Sequence, residues 1–227
     1  MPDLAKGISS FRESVFPSDS MLYRKLASEG QKPHALIISC ADSRVMPEVI
    51  TQSGPGDLFV CRNAGNIVPP FSTNNGGVSS AIEYAVIALG VRDIIVCGHS
   101  DCGAMKGLCC PELLQPMPNV AAWLRHSRAA YSVVCEAYPE DMPERDRVRA
   151  VAMENVIAQL GHLQSHPSVA AKLATSEIAL HGWFFDIETG GVHAYDPAAG
   201  AFVEVLDDRP LPVAVAGRGL TRLAFAK

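Results

Sequence analysis

An α/β fold with a central, mostly parallel β-sheet flanked by helices is the class this sequence predicts, and three observations predict it. Runs rich in Ile and Val stop abruptly at polar or glycine residues: Ala35-Leu36-Ile37-Ile38-Ser39 stops at Cys40, and Asp93-Ile94-Ile95-Val96-Cys97 stops at Gly98. Such runs read as buried strands. Between them, Val78, Ala81, Ile82, Ala85, Val86 and Leu89 are spaced for one face of a helix, and strand, helix, strand in that order implies parallel pairing through right-handed crossovers. Finally, 227 residues of which 48% are hydrophobic suffice for one domain with a real core.

The elements follow in order. Residues 1–30 read as an N-terminal helical arm, because Ile8, Phe11, Val15, Leu22 and Leu26 recur at helical spacing around Phe16-Pro17-Ser18. Proline ends or starts helices more readily than it continues them, so two short helices divided at Pro17 are expected. They carry too little apolar surface to fold alone and should lie across this subunit or a partner. The arm belongs to the same domain as residues 31–227. After the strand ending at Cys40, Val45–Thr51 is a short connection or helix closed by the turn cluster Ser53-Gly54-Pro55-Gly56. Asp57–Cys61 is the next strand, and Gly90 stops the helix that follows Asn74-Asn75-Gly76-Gly77. Leu108–Pro118 is proline-rich and reads as a loop, after which Asn119 is placed to cap a helix carrying Val120, Trp123 and Leu124. The strongest helix signal is Val148, Val151, Ala152, Val156, Leu160 and Leu163, ended by His166-Pro167. Glu177–Glu188 reads as a strand, turned at Gly190-Gly191 into an antiparallel hairpin with Val192–Tyr195, and Ala201–Leu206 as an edge strand.

Composition excludes some function classes. A net charge of -5 with no dense Lys/Arg run argues against nucleic acid or an anionic membrane as partner. No apolar run approaches the roughly 20 residues of a membrane span, and the N-terminus has no apolar signal core. A cytoplasmic protein is expected. Its seven cysteines read better as thiols and ligands than as a disulfide framework.

The ends of the two central strands carry the chemistry. Cys40 opens Cys40-Ala41-Asp42-Ser43-Arg44, and His99 and Cys102 lie in Gly98-His99-Ser100-Asp101-Cys102-Gly103. Two thiolates and an imidazole suit Zn²⁺, and three protein ligands leave a fourth position for water. The spacing of Gly98 and Gly103 suggests a phosphate loop, but Ala104 and Met105 stand where Lys and Ser or Thr are needed. No dinucleotide fingerprint, serine-hydrolase elbow or C-x-x-C motif is present.

Together these motifs closely resemble the β-carbonic anhydrases, of the plant-like and bacterial cyanate-associated subclass. The resemblance runs from about Gln31 to the Glu177–Tyr195 region. It rests on C-A-D-S-R from Cys40, R-N-A-G-N from Arg62, G-G-V-S-S-A-I-E-Y-A from Gly76 and C-G-H-S-D-C-G-A from Cys97. It implies Cys40, His99 and Cys102 as ligands of one zinc ion, and reversible hydration of carbon dioxide to bicarbonate by a zinc-bound hydroxide. Asp42 would orient that hydroxide while Arg44 keeps Asp42 ionised and turned from the metal. A broken pairing would let Asp42 become the fourth ligand.

The resemblance further implies a small apolar pocket lined by Phe59, Ala64 and Tyr84, with the Gln31 amide and the Gly103 backbone N–H as donors. Some of these would come from a partner subunit, making a homodimer the smallest active unit and a tetramer or octamer plausible. Ile37 and Ser39 stand where one subclass has Trp and Gly in a bicarbonate-inhibition site, so that regulation is not expected. The alternatives are a zinc-stabilised scaffold without catalysis and a hydrolase of another small heterocumulene. Retention of Asp42, Arg44 and Gln31 argues against the scaffold, which has no use for an oriented hydroxide.

Overall fold

The computed structural model describes residues 3–73 and 76–217. The chain begins with helix α1 (Leu4–Ser10), a π-helical turn at Phe11–Val15, and α2 (Phe16–Glu29). It stays helical through Pro17, at the start of α2, where the sequence suggests a division. The irregularity lies one turn earlier, where the Phe16 N–H bonds back five residues to the Phe11 carbonyl. A proline ring crowds the carbonyl four residues before it, and the wider turn makes room. No residue of α1 or α2 is buried. Leu4, Ile8 and Met21 are 71%, 62% and 82% exposed, so most of the arm is left uncovered by its own subunit, and only the end of α2 packs on it, through Leu26 against Gly56.

Six strands follow: β1 (Ala35–Cys40), β2 (Leu58–Asn63), β3 (Asp93–His99), β4 (Ala179–Phe185), β5 (Val192–Asp196) and β6 (Ala201–Glu204). They form one sheet in the order β2-β1-β3-β4-β5-β6, parallel from β2 to β4 and antiparallel from β4 to β6. β4 is shorter than its apolar run suggests. Ser176 is left-handed, the Glu177 N–H bonds back to Lys172, and the Asp186 carboxylate draws the Glu188 and Thr189 N–H groups into a turn.

The helices between are α3 (Pro47–Ile50), α4 (Gly77–Glu83) with a π-helical turn at Tyr84–Ala88, α5 (Gly103–Cys109), α6 (Pro118–Trp123), α7 (Arg128–Ala137), α8 (Glu144–Gln164) and α9 (Pro167–Ala174). The expected loop at 108–118 is largely helical. Pro111 opens a 3₁₀ turn and Pro118 opens α6, positions where a missing N–H costs nothing. Asn119 therefore lies inside α6, and Met117 holds the cap position. The periodicity missed α7 and α9 because each buries only two residues, Ala130 with Val134 and Val169 with Leu173.

Leu36, Ile38, Ile94, Val96 and Leu180 pack against Ile82, Val86, Val156, Leu160 and Leu163 to make the main core. The contact between α8 and the sheet depends on two glycines. A Cβ on Gly98 would sit 2.8 Å from Val156 Cγ2, and one on Gly182 2.8 Å from Val156 Cγ1. Removing both side chains lets the helix approach. The strand order has a consequence for function. The connection after β1 leads to one side and that after β3 to the other, so their carboxyl ends flank the crevice where open α/β sheets hold ligands.

Candidate metal centre and the neighbouring dyad

Cys40 is the last residue of β1, His99 the last of β3, and Cys102 the residue that caps α5. β1 and β3 are adjacent and parallel, so two strand ends and one tight loop deliver all three side chains to one place. The Sγ atoms and a ring nitrogen lie within 4.8 Å of one another, and all three residues are buried. Asp101, left-handed at φ 56°, turns the loop that brings Cys102 back to His99.

His99 Nδ1 donates to the Ser100 carbonyl at 2.8 Å. In the neutral ring the lone pair then falls on the other nitrogen, Nε2, which is buried without a hydrogen-bond partner. An orphaned acceptor between two sulfurs is what a cation would satisfy. The cysteines divide their charge unequally. Cys40 is lowered to about 4, chiefly by a hydrogen bond from the Cys102 thiol against the opposing effect of burial, with help from the Gly65 N–H. Cys102 is raised because that neighbouring sulfur holds its proton and burial disfavours a second thiolate. The pair thus shares one proton, which a divalent cation would displace. Soft sulfur and borderline nitrogen donors fit zinc.

Beside this cluster, Asp42 accepts from Arg44 through both oxygens: Nε and the backbone N–H reach Oδ1 at 3.0 Å, and Nη2 reaches Oδ2 at 2.8 Å. That bidentate fork holds the Asp42 carboxyl well below the usual carboxylate range and raises Arg44 in return.

The comparisons with known proteins bear on the whole chain. Residues 35–192 match the family model described as carbonic anhydrase. A carbonic anhydrase of Pseudomonas aeruginosa is 47% identical over 217 residues, covering 96% of this chain and 97% of that one. The solved β-carbonic anhydrase CcaA aligns with a TM-score of 0.86 at 45% identity, covering 90% of this chain and 91% of its own. The chain belongs to the β-class carbonic anhydrases. One of two tetrameric β-carbonic anhydrases from the ascomycete Sordaria macrospora also aligns, with a TM-score of 0.76 at 31% identity over 84% of this chain and 94% of that one.

Within one chain of this carbonic anhydrase, Cys40, His99, Cys102, Asp42 and Arg44 come together. Ala64 and Gly103 lie beside them: the Gly65 N–H points at Cys40 Sγ at 3.4 Å, and Gly103 begins α5 next to Cys102. Gln31, Phe59 and Tyr84 do not join this group. Phe59 pairs with Leu36, four residues upstream of Cys40, which is about 13 Å along the strand. Tyr84 packs against Phe59 with ring centroids 5.9 Å apart, and Gln31 precedes the amino end of β1. These three stand toward the opposite end of the sheet.

Several supporting residues have roles that the motifs do not assign. Arg62 donates to the Cys40 and Asp42 carbonyls at 3.1 and 2.7 Å, tying the β1 loop to β2. Asn155 donates to the Gly65 carbonyl at 3.0 Å and accepts from Gln159, which in turn accepts from the Val68 N–H. Trp123 Nε1 donates to the Ala64 carbonyl at 2.9 Å. A signal for two of these was present. Asn155 and Gln159 fall in step with Val151, Ala152, Val156, Leu160 and Leu163, and a polar residue on a buried helix face must have a partner.

Proposed function

We propose that the protein interconverts carbon dioxide and bicarbonate, with one zinc ion per chain held by Cys40, His99 and Cys102. The observation that carries this reading is the buried, unpartnered Nε2 of His99 between two cysteine sulfurs, beside a carboxylate clamped by arginine. When bound, zinc lowers the pKa of a coordinated water and supplies a nucleophile near neutral pH. Asp42 does the orienting. Kept ionised by Arg44, it can only accept, so it would take a hydrogen bond from an oxygen nucleophile held beside it and orient that nucleophile toward the carbon. The Gly103 N–H opens α5 beside the cluster, placed to donate to an oxygen of the forming bicarbonate. The proton released leaves to solvent or buffer.

Gln31, Phe59 and Tyr84 act in a neighbouring site, as the partner's wall and donor. Their distance from Cys40 in their own chain supports this, as do the exposed Tyr84 and Ile87, 51% and 62% accessible. The working unit is a homodimer, assembled further into a tetramer or octamer through the uncovered arm, and the tetrameric Sordaria relative supports such assembly. Residues 31–227 make one domain in this reading, with 1–30 as its arm; residues 1–2, 74–75 and 218–227 lie outside the described residues. All seven cysteines are free, which suits thiolate ligands in a reducing cytoplasm.

Stopped-flow hydration of CO2 on metal-quantified protein tests the reading, with Asp42→Asn alongside. Activity proportional to zinc, near one ion per chain, and collapsing in the variant is the expected result. Stoichiometric zinc without hydration at any pH would move the assignment to another heterocumulene or to a scaffold.

A further inference from the structure

Arg44 is held from two sides. Asp42 occupies Nε and Nη2 of the guanidinium, while Nη1 donates to Asp101 Oδ2 at 3.0 Å and Nη2 also reaches the Asp101 carbonyl at 3.2 Å. The second oxygen of Asp101 is taken by Lys106 Nζ at 2.5 Å, from the first turns of α5. Asp101 itself sits at φ 56°. A non-glycine residue there stores strain that the surroundings must offset, and glycine would fill the position more easily. What glycine could not supply is the carboxylate.

We infer that Asp101 is a positioning residue for the hydration reaction, a second clamp on Arg44 that sets where Asp42 points relative to the metal ligands. This rests on the reading of Asp42 and Arg44 given above. The geometry explains why a second clamp is needed. Arg44 and Asp42 are two residues apart on one loop, and the Arg44 side chain is 45% exposed on the rim of a cavity of about 300 Å³ shared with Ser100 and Arg149. Arg62 ties the backbone of this loop to β2, but two side chains paired only with each other could still swing together toward that opening. Asp101 belongs to the other strand-end loop, between His99 and Cys102, so its hold refers the dyad directly to the ligands. The left-handed turn contributes as well. It brings the carbonyl and the carboxylate of one residue to the same guanidinium.

The test uses the full-length, zinc-loaded protein with Asp101→Asn, Arg44→Ala and the double variant. Asparagine keeps the shape and tolerates positive φ, but carries no charge. Asp101→Asn is expected to bind zinc like the wild type and to lose about ten- to a hundredfold in kcat with KM little changed, as for a lost charge-assisted hydrogen bond. In the Arg44→Ala background the same change should cost less than about twofold, because the effect travels through Arg44. The Arg44 Nε–Hε NMR signal gives a readout independent of turnover, and should broaden in Asp101→Asn. Unchanged kcat with an unchanged Arg44 signal would overturn the proposal. So would an equal loss in the Arg44→Ala background, or loss of zinc in step with activity, since Asp101 would then serve the ligand loop itself. If the asparagine variant folds poorly, Asp101→Gly removes the carboxylate while relieving the strained φ, with the same expectations. Failure of the wild type to hydrate CO2 would remove the parent reading, whereas the NMR signal would still report whether Asp101 holds Arg44.

Discussion

Asp42 owes its charge to the guanidinium beside it. The Arg44 hydrogen bond, the largest influence on this carboxyl, holds it well below the usual range. Because the folded value lies below the unfolded one, the stabilisation is complete above about pH 5, starts to decline as pH falls through the unfolded carboxylate value and is gone below the depressed folded value. A ¹³C titration of the Asp42 carboxyl in metal-free protein should therefore show no inflection between about pH 4 and 9. An inflection inside that window would mean that the fork does not persist in solution. A second prediction concerns the buried amides behind the site. Asn155→Ala strands the Gly65 carbonyl and takes one of the two acceptors from the Gln159 Nε2 group, and should cost about 1–3 kcal/mol of stability. Gly65 also donates to Cys40 Sγ, so zinc affinity should fall with it; urea unfolding and competition with a chelator measure the two.

At the scale of elements, the approach of α8 to the sheet decides how well the strand ends are held. Gly182→Ala places a methyl 2.8 Å from Val156 Cγ1 and 3.0 Å from Leu160 Cδ1. Overpacking of this kind costs about 1–3 kcal/mol, and Val156→Ala in the same chain should restore part of it. Chemical denaturation of the single and double variants checks this; additive losses would place the strain elsewhere. The elements were legible in proportion to the apolar face they bury. The central strands β1 and β3 are buried almost throughout, and α8 buries a stripe along its length. α7 and α9 bury two residues each and left no pattern to read. Pro17 misled because a break and a π-helical turn look alike in one sequence.

For the whole molecule, the uncovered arm and the exposed Tyr84 and Ile87 point to assembly. If Gln31 serves the partner's metal, mixing Gln31→Ala chains with Asp42→Asn chains should recover activity. A mixed dimer then has one site with both residues intact, so random pairing gives about a quarter of the sites. No recovery after demonstrated subunit exchange would place Gln31 in its own chain's site. Removing residues 1–30 should lower the oligomeric state, which sedimentation velocity would report.

The chemistry of this protein was written locally. Cys40 with Asp42 and Arg44 span five residues, and His99 with Cys102 span four, so donor type and spacing are visible without coordinates. That Cys, His and Cys suit a metal follows from the residues alone, as does an α/β class from apolar runs that stop at polar ends. Tertiary structure decided what depends on two distant segments meeting. Strand order brought Cys40 to His99. The tautomer that frees Nε2 depends on where the Ser100 carbonyl points. The second hold on Arg44 depends on a left-handed turn at Asp101, and the separation of Gln31, Phe59 and Tyr84 from Cys40, His99 and Cys102 on which end of the sheet each occupies. Spacing along a chain carries information about neighbours a few residues apart; contacts across tens of residues are set by how whole elements pack.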